Sequence, residues 1–112
     1  MISTTCNCVR TLNDAFRTAV LSPLGQWAFT HGVHDLGPEF VSQAIGQVRT
    51  FEAFTKDNDP YGEHDFGSLN ISGHTVFFKI DYYDQNLEFG SEDPGDPAKC
   101  RRVLTVMLAS EY

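Results

Sequence analysis

FGSLNISGHTVFFKIDYY, from Phe66 to Tyr83, is written in the two-residue period of β-strands around a turn. Phe66 to Ile71 and Thr75 to Tyr83 read as two strands, and Ser72-Gly73 between them supplies the residues of a two-residue hairpin loop. In the second strand Val76, Phe78, Ile80 and Tyr82 share one face, while Phe77, Lys79, Asp81 and Tyr83 share the other. The second face mixes charge with aromatic rings, so it is not simply a core face. A turn at Ser72-Gly73 places opposite each other residues whose numbers sum to about 145. Asp65 then falls beside Ile80 or Asp81, and His64 near Asp81.

Outward from the hairpin, the period changes. From about Thr4 to Val20, Val9, Leu12, Phe16 and Ala19 recur at helical spacing, with Thr4 or Thr5 as cap and Ser22-Pro23 as stop. Gly25 to Val33 alternates, with Trp27, Phe29 and His31 on one side, and predicts a strand. Leu36-Gly37-Pro38-Glu39 opens a helix, since proline suits the first helical position and glutamate the positive end. Its stripe of Val41, Ala44, Ile45, Val48 and Phe51 carries it to about Phe54. Asp96-Pro97 predicts a last helix, with Val103, Val106 and Met107, or Leu104 and Leu108, facing inward. The expected fold class is α+β, in the order α-β-α-β-β-α: a small three-stranded sheet with a β-hairpin, covered by about three helices. Residues 1–112 are expected to form a single globular domain.

Composition narrows the function. The chain has 112 residues, 41% of them hydrophobic and fourteen aromatic, too apolar to remain disordered. There is no run of eighteen apolar residues, and MISTTCNCVR lacks the basic start and apolar middle of a secretory signal, so the expectation is a cytoplasmic protein without membrane partners. Cys6, Cys8 and Cys100 make neither a disulfide framework nor a zinc knuckle. His31 and His34 have a metal-compatible spacing but no clear third ligand. The formal charge is −7, which argues against direct nucleic-acid binding, and only Lys99, Arg101 and Arg102 form a basic cluster.

The negative charge is concentrated. Between Glu52 and Asp96 stand eleven carboxylates and two lysines, a net −9, with the runs DNDPYGEHD and GSEDPGDP. Asp57-x-Asp59-x-Tyr61-Gly62 opens like an EF-hand loop, but Tyr61 replaces a ligand, Pro60 stiffens the turn and Ser68 stands at the twelfth place, so a solvent-facing turn held by its own Asp and Asn side chains fits better. Glu63-His64-Asp65, facing Asp81 and Asp84, is the more substantial cluster: its carboxylates suit Mg²⁺ or Mn²⁺, and His64 with an orienting carboxylate suits general base work. Hydrogen bonds tying the acidic loops to the sheet are the structural alternative. Tyr61, Phe66, Phe77, Phe78, Tyr82, Tyr83 and Phe89 run through the same block, some expected under helices on both sheet faces, others exposed as anchors for a partner.

FEAFTKDNDPYGEHDFGSL (51–69), VFFKIDYYD (76–84) and GSEDPGDPAKCRRVLTVMLASEY (90–112), preceded by LGPEF, resemble the DUF3768 family of small bacterial proteins. The resemblance covers roughly three quarters of the chain; the first twenty-five residues match less well, and the CNC there is outside the pattern. It brings no catalytic residue set. It implies a bacterial cytoplasmic setting and an association with mobile elements, hence with conflict between such elements and host defence.

Two functions are therefore expected. The first is a non-enzymatic acidic module whose Asp57, Asp59, Tyr61, Glu63, Asp65, Tyr83, Asp84, Glu92 and Asp93 dock on a basic surface of a host protein, in its sharpest form an anti-CRISPR-style or anti-restriction-style inhibitor in the nucleic-acid channel of a defence complex. The alternative is a small divalent-metal-dependent hydrolase, with His64, Asp65 and Asp81 catalytic and Glu63, Asp65 and Asp81 as metal ligands. A homodimer through the hairpin edge or an exposed helix face is a third reading.

Overall fold

The computed structural model describes residues 8–19 and 22–112. Helix α1 (Cys8–Thr18) is followed by strand β1 (Gly25–Phe29), the short helix α2 (His31–Asp35), helix α3 (Pro38–Thr50), strands β2 (Phe66–Ile71), β3 (His74–Tyr83) and β4 (Arg101–Leu108), and a closing 3-10 turn (Ala109–Glu111). The strands form one sheet in the order β1-β4-β3-β2, with β1 parallel to β4 and the other two pairs antiparallel. The class is α+β, with four strands where the sequence predicts three.

The hairpin follows its predicted register. Phe66 pairs with Lys79 and Ile71 with His74, and the Ile80 N–H donates to the Asp65 carbonyl at 2.9 Å. Ser72 and Gly73 both have positive φ, 51° and 84°, the backbone of a type I′ turn whose twist matches that of the strands.

The C-terminal segment departs from the expectation. Arg101 to Leu108 is a central strand rather than a helix, and Asp96-Pro97 belongs to a turn in which Asp96 accepts the backbone N–H groups of Ala98 and Lys99. The apolar run 103–108 fits either period; β-branched Val103, Thr105 and Val106, and two neighbouring strands with ladders to complete, decide for the sheet. Smaller corrections follow at the boundaries. The first strand stops at Phe29, His31 opens α2, and α3 ends at Thr50 rather than near Phe54. The expected cap at Thr4 or Thr5 and the helix end at Val20 lie outside the described residues.

Helices cover one sheet face. Phe16, Val33, Phe40, Ala44 and Val48 pack on Leu69, Ile71, Val76, Phe78, Ile80, Leu104 and Val106, all buried. Phe78 is fully enclosed because Gly67 on β2 has no Cβ; one there would stand 2.2 Å from the Phe78 ring. Truncating Phe78 to Ala is expected to cost about 3–5 kcal/mol. By alternation Phe66, Phe77, Lys79, Asp81, Tyr83, Arg101, Val103 and Met107 lie on the opposite face, away from the helical core, and Met107 is buried there too. The expectation of aromatic packing under helices on both faces is corrected here for Phe66 and Phe77, which pack on each other and on Tyr112 instead.

Three polar side chains are buried in the helical layer. Arg17 on α1 donates from Nη1 to the carbonyls of Val48 (2.7 Å) and Phe51 (2.9 Å), satisfying the end of α3. Arg102, with no exposed surface, donates to Asn13 Oδ1 at 2.6 Å and to the Pro94 carbonyl, and its guanidinium lies over the Tyr82 ring. The basic cluster expected at Lys99-Arg101-Arg102 is thus divided: Arg102 is core, Arg101 donates to the Pro23 carbonyl at the surface, and Lys99 is exposed.

Candidate functional site

Loops 51–65 and 84–100 both leave the sheet at one end, where β2 begins, β3 ends and β4 begins. The acidic block is therefore gathered there by topology. Each loop is held by its own carboxylates. Asp59 is buried and accepts the N–H groups of Glu63 (3.0 Å) and His64 (3.2 Å). Asp84 accepts those of Asn86 and Glu88, and Asp93 that of Gly95. A backbone amide orders a carboxylate without cancelling its charge, so these residues staple the loops and still contribute to the field outside. The loop 57–62 is such a self-bonded turn, its Asp59 oxygens turned onto the chain's own backbone.

The remaining block residues separate by exposure. Asp57, Glu52, Glu88 and Glu92 are exposed. Tyr61 is 81% exposed and Phe89 70%, and Leu87, at φ 59° two residues before Phe89, is 41% exposed. Solvent-facing rings on loops stapled by their own carboxylates have less conformational freedom to lose on contact with a partner. Phe89 borders a shallow depression shared with Asp84, Gln85, Glu92 and Lys99.

The Glu63-His64-Asp65 cluster assembles differently from the expectation. The carboxylates at the imidazole are Asp14, 2.9 Å from Nδ1, and Asp59, 3.7 Å from Nε2. Asp14 comes from α1, outside the acidic block. Asp81, expected next to His64, pairs with Lys79 at 3.2 Å. The His64 ring stacks on Phe54 at 3.9 Å and 3°, and the Arg17 guanidinium lies 5.3 Å from the same ring. His64 also has φ 57°, a left-handed backbone held by the Asp59 staple. A cleft of about 440 Å³ opens beside this group, lined by Asp14, Arg17, Thr18, Glu52, Phe54 and His64. With both ring nitrogens facing carboxylates and its face on Phe54, the imidazole ties α1 to the acidic loop.

Asp65 accepts the Tyr82 hydroxyl at 3.3 Å. Burial, with the Asp59 and Asp81 charges behind it, holds the Asp65 carboxyl above its ordinary range despite that bond. Glu63 is raised by burial and then by Asp65 and Asp59. Tyr82 is raised strongly, chiefly by burial. Tyr83 lies on the sheet face away from the helical core and bridges to Gly90. Among the described residues no three His, Cys, Asp or Glu side chains form a metal-holding group, and no helix is long and apolar enough to cross a membrane. His34 meets the edge of Phe29 and His74 that of Phe40. Sequence reading missed Asp14, Asn13, Arg17 and Arg102, for polar residues inside a helical or apolar pattern carry no mark of the partner they will bury against.

The family described as "Protein of unknown function (DUF3768)" matches residues 29–111. No curated protein and no solved structure matches the chain.

Proposed function

We propose, from the premise that the chain belongs to the DUF3768 family, that it is an acidic interaction module whose loop end docks on a basic protein surface. One observation supports the reading above the others: Tyr61 and Phe89 stand 81% and 70% exposed on loops that also carry the net −9 block. Aromatic anchors ringed by charge are the composition of a protein-binding patch, and charges spaced along its rim match a groove built for phosphates. In its sharpest form the module occupies the nucleic-acid groove of a bacterial defence complex.

The residues that carry the contact are Asp57, Tyr61, Glu88, Phe89 and Glu92. Asp59 belongs to the loop's own structure and is unsuitable for reversal. The test is capture from a nuclease-treated bacterial lysate by wild type and by the triple variant Asp57→Lys, Glu88→Lys, Glu92→Lys. A partner captured at low salt, released by salt and by added DNA or RNA, and lost with the variant is the expected result. Equal capture by the variant overturns the reading.

A further inference from the structure

We infer that β2 is a docking edge: an extended segment of the partner, bearing lysine or arginine, pairs with it as a further strand of the sheet and sets its cations against the carboxylates that enter β2. The inference rests on the acidic-module reading and names how the partner is held.

β2 ends the sheet, with a neighbour on one side only. The Ile80 N–H donates to the Asp65 carbonyl, and the alternation of an antiparallel ladder turns the backbone groups of Gly67, Leu69 and Ile71 toward β3. Phe66, Ser68 and Asn70 turn theirs outward. Among the described residues no hydrogen bond meets those outward groups, and Ser68 and Asn70 are exposed. An open sheet edge is ordinarily guarded by a lysine, a proline or a bulge. FGSLNI has no charge and no proline, and its register with β3 runs unbroken from Phe66 to Ile71. The guard stands only upstream, where Asp59 accepts the N–H of His64, the preceding outward position.

Charge selects the occupant. The run that enters β2 carries Asp57, Asp59, Glu63 and Asp65 against Lys56. Burial first, then the Asp65 and Asp59 charges, hold the Glu63 carboxyl above its ordinary range, a crowding that a cation relieves. The opposite edge of the sheet differs: Arg49 lies over Trp27 of β1, and Arg101 donates to the Pro23 carbonyl just before that strand. Strand addition uses the backbone of the incoming segment, so its side chains are free to supply the positive charge. A second copy offers its own uncharged β2 and leaves these carboxylates unmatched.

The probe is a synthetic peptide of about seven residues, lysine alternating with valine, titrated at low salt into the isotope-labelled full chain. Binding is expected to shift the amides of Phe66, Ser68 and Asn70 most and to slow their hydrogen exchange. Ser68→Pro removes an outward N–H and spares the ladder to β3; it is expected to weaken binding by about tenfold or more with circular dichroism unchanged. The fully N-methylated peptide, which keeps its charge and loses its backbone donors, is expected to weaken as much, and it decides the matter if Ser68→Pro does not fold. Equal binding by a folded Ser68→Pro chain, or by the N-methylated peptide, overturns the inference and leaves the acidic reading standing, since charge alone then holds the peptide. A wild type that does not bind the peptide overturns it too. So does a wild type that is dimeric by light scattering and monomeric with Ser68→Pro, which gives the edge to a second copy. The acidic reading fails separately, by equal capture with the triple lysine variant.

Discussion

Arg102 on β4 donates from Nε to Oδ1 of Asn13 on α1 at 2.6 Å, with neither side chain exposed. The Asn13 amide continues the network, donating to the Glu63 carbonyl at 2.9 Å and the Tyr82 hydroxyl at 2.8 Å. One asparagine thereby joins a helix that precedes the family match to the sheet and to the acidic loop. Asn13→Ala leaves a buried guanidinium, a carbonyl and a hydroxyl short of partners, and is expected to lower unfolding free energy by about 2–4 kcal/mol. Urea denaturation measures it, with Thr18→Ala on the exposed side of the same helix as a control near zero.

Arg17 is the second tie. Its guanidinium replaces water at the last carbonyls of α3 and also meets Asp14 at 3.2 Å. Arg17→Met keeps the stem and removes the cap, with an expected loss of about 2–4 kcal/mol. Hydrogen exchange is expected to quicken first in the final turn of α3, because that turn loses its partner.

The acidic end makes stability depend on pH in a definite direction. Asp65 and Glu63 have folded-state pKa values above their unfolded ones, so the folded chain holds their protons more tightly. The resulting stabilisation is full below the unfolded carboxylate value and is lost as pH rises through the raised one. Asp65→Asn, which retains an acceptor for Tyr82, is expected to stabilise the fold at about pH 7. The gain disappears below the unfolded carboxylate value, near about pH 3, where the folded and unfolded chains both hold the proton. Thermal melts at the two pH values check the sign.

Glu111 acts in the opposite sense. Hydrogen bonds from the Thr30 hydroxyl first, then from the Leu108 and Gly32 N–H groups, hold its carboxyl below the ordinary range. Its contribution is present above the unfolded value and is lost as pH falls through the depressed one. Glu111→Gln is expected to lower the melting temperature at neutral pH and to converge with wild type in acid.

The hairpin was legible because Ser72-Gly73 fixes register and a two-residue period fixes faces, both local properties. The strand at 101–108 was not: its apolar run satisfies helix and strand alike, and only its two neighbours, β1 and β3, separated from it in sequence, choose. The acidic end was legible as composition, since the segments that enter and leave an antiparallel hairpin emerge at the same end. Which carboxylates face outward was not legible. Asp59 and Asp57 look alike in sequence, yet one staples the backbone and the other faces water, a difference set by how the loop closes. Asp14 at His64 was hidden for the same reason as Arg102: a polar residue on a helix is ordinarily solvated, and its partner lies about fifty residues away.

Docking through the acidic end is tested most directly by the dissociation constant between the captured partner and the Tyr61→Ser, Phe89→Ser double variant, set beside wild type. Loss of both exposed rings is expected to weaken binding by about 2 kcal/mol or more, roughly thirtyfold, at fixed salt and with the fold unchanged by circular dichroism. An affinity equal to that of wild type would contradict the account.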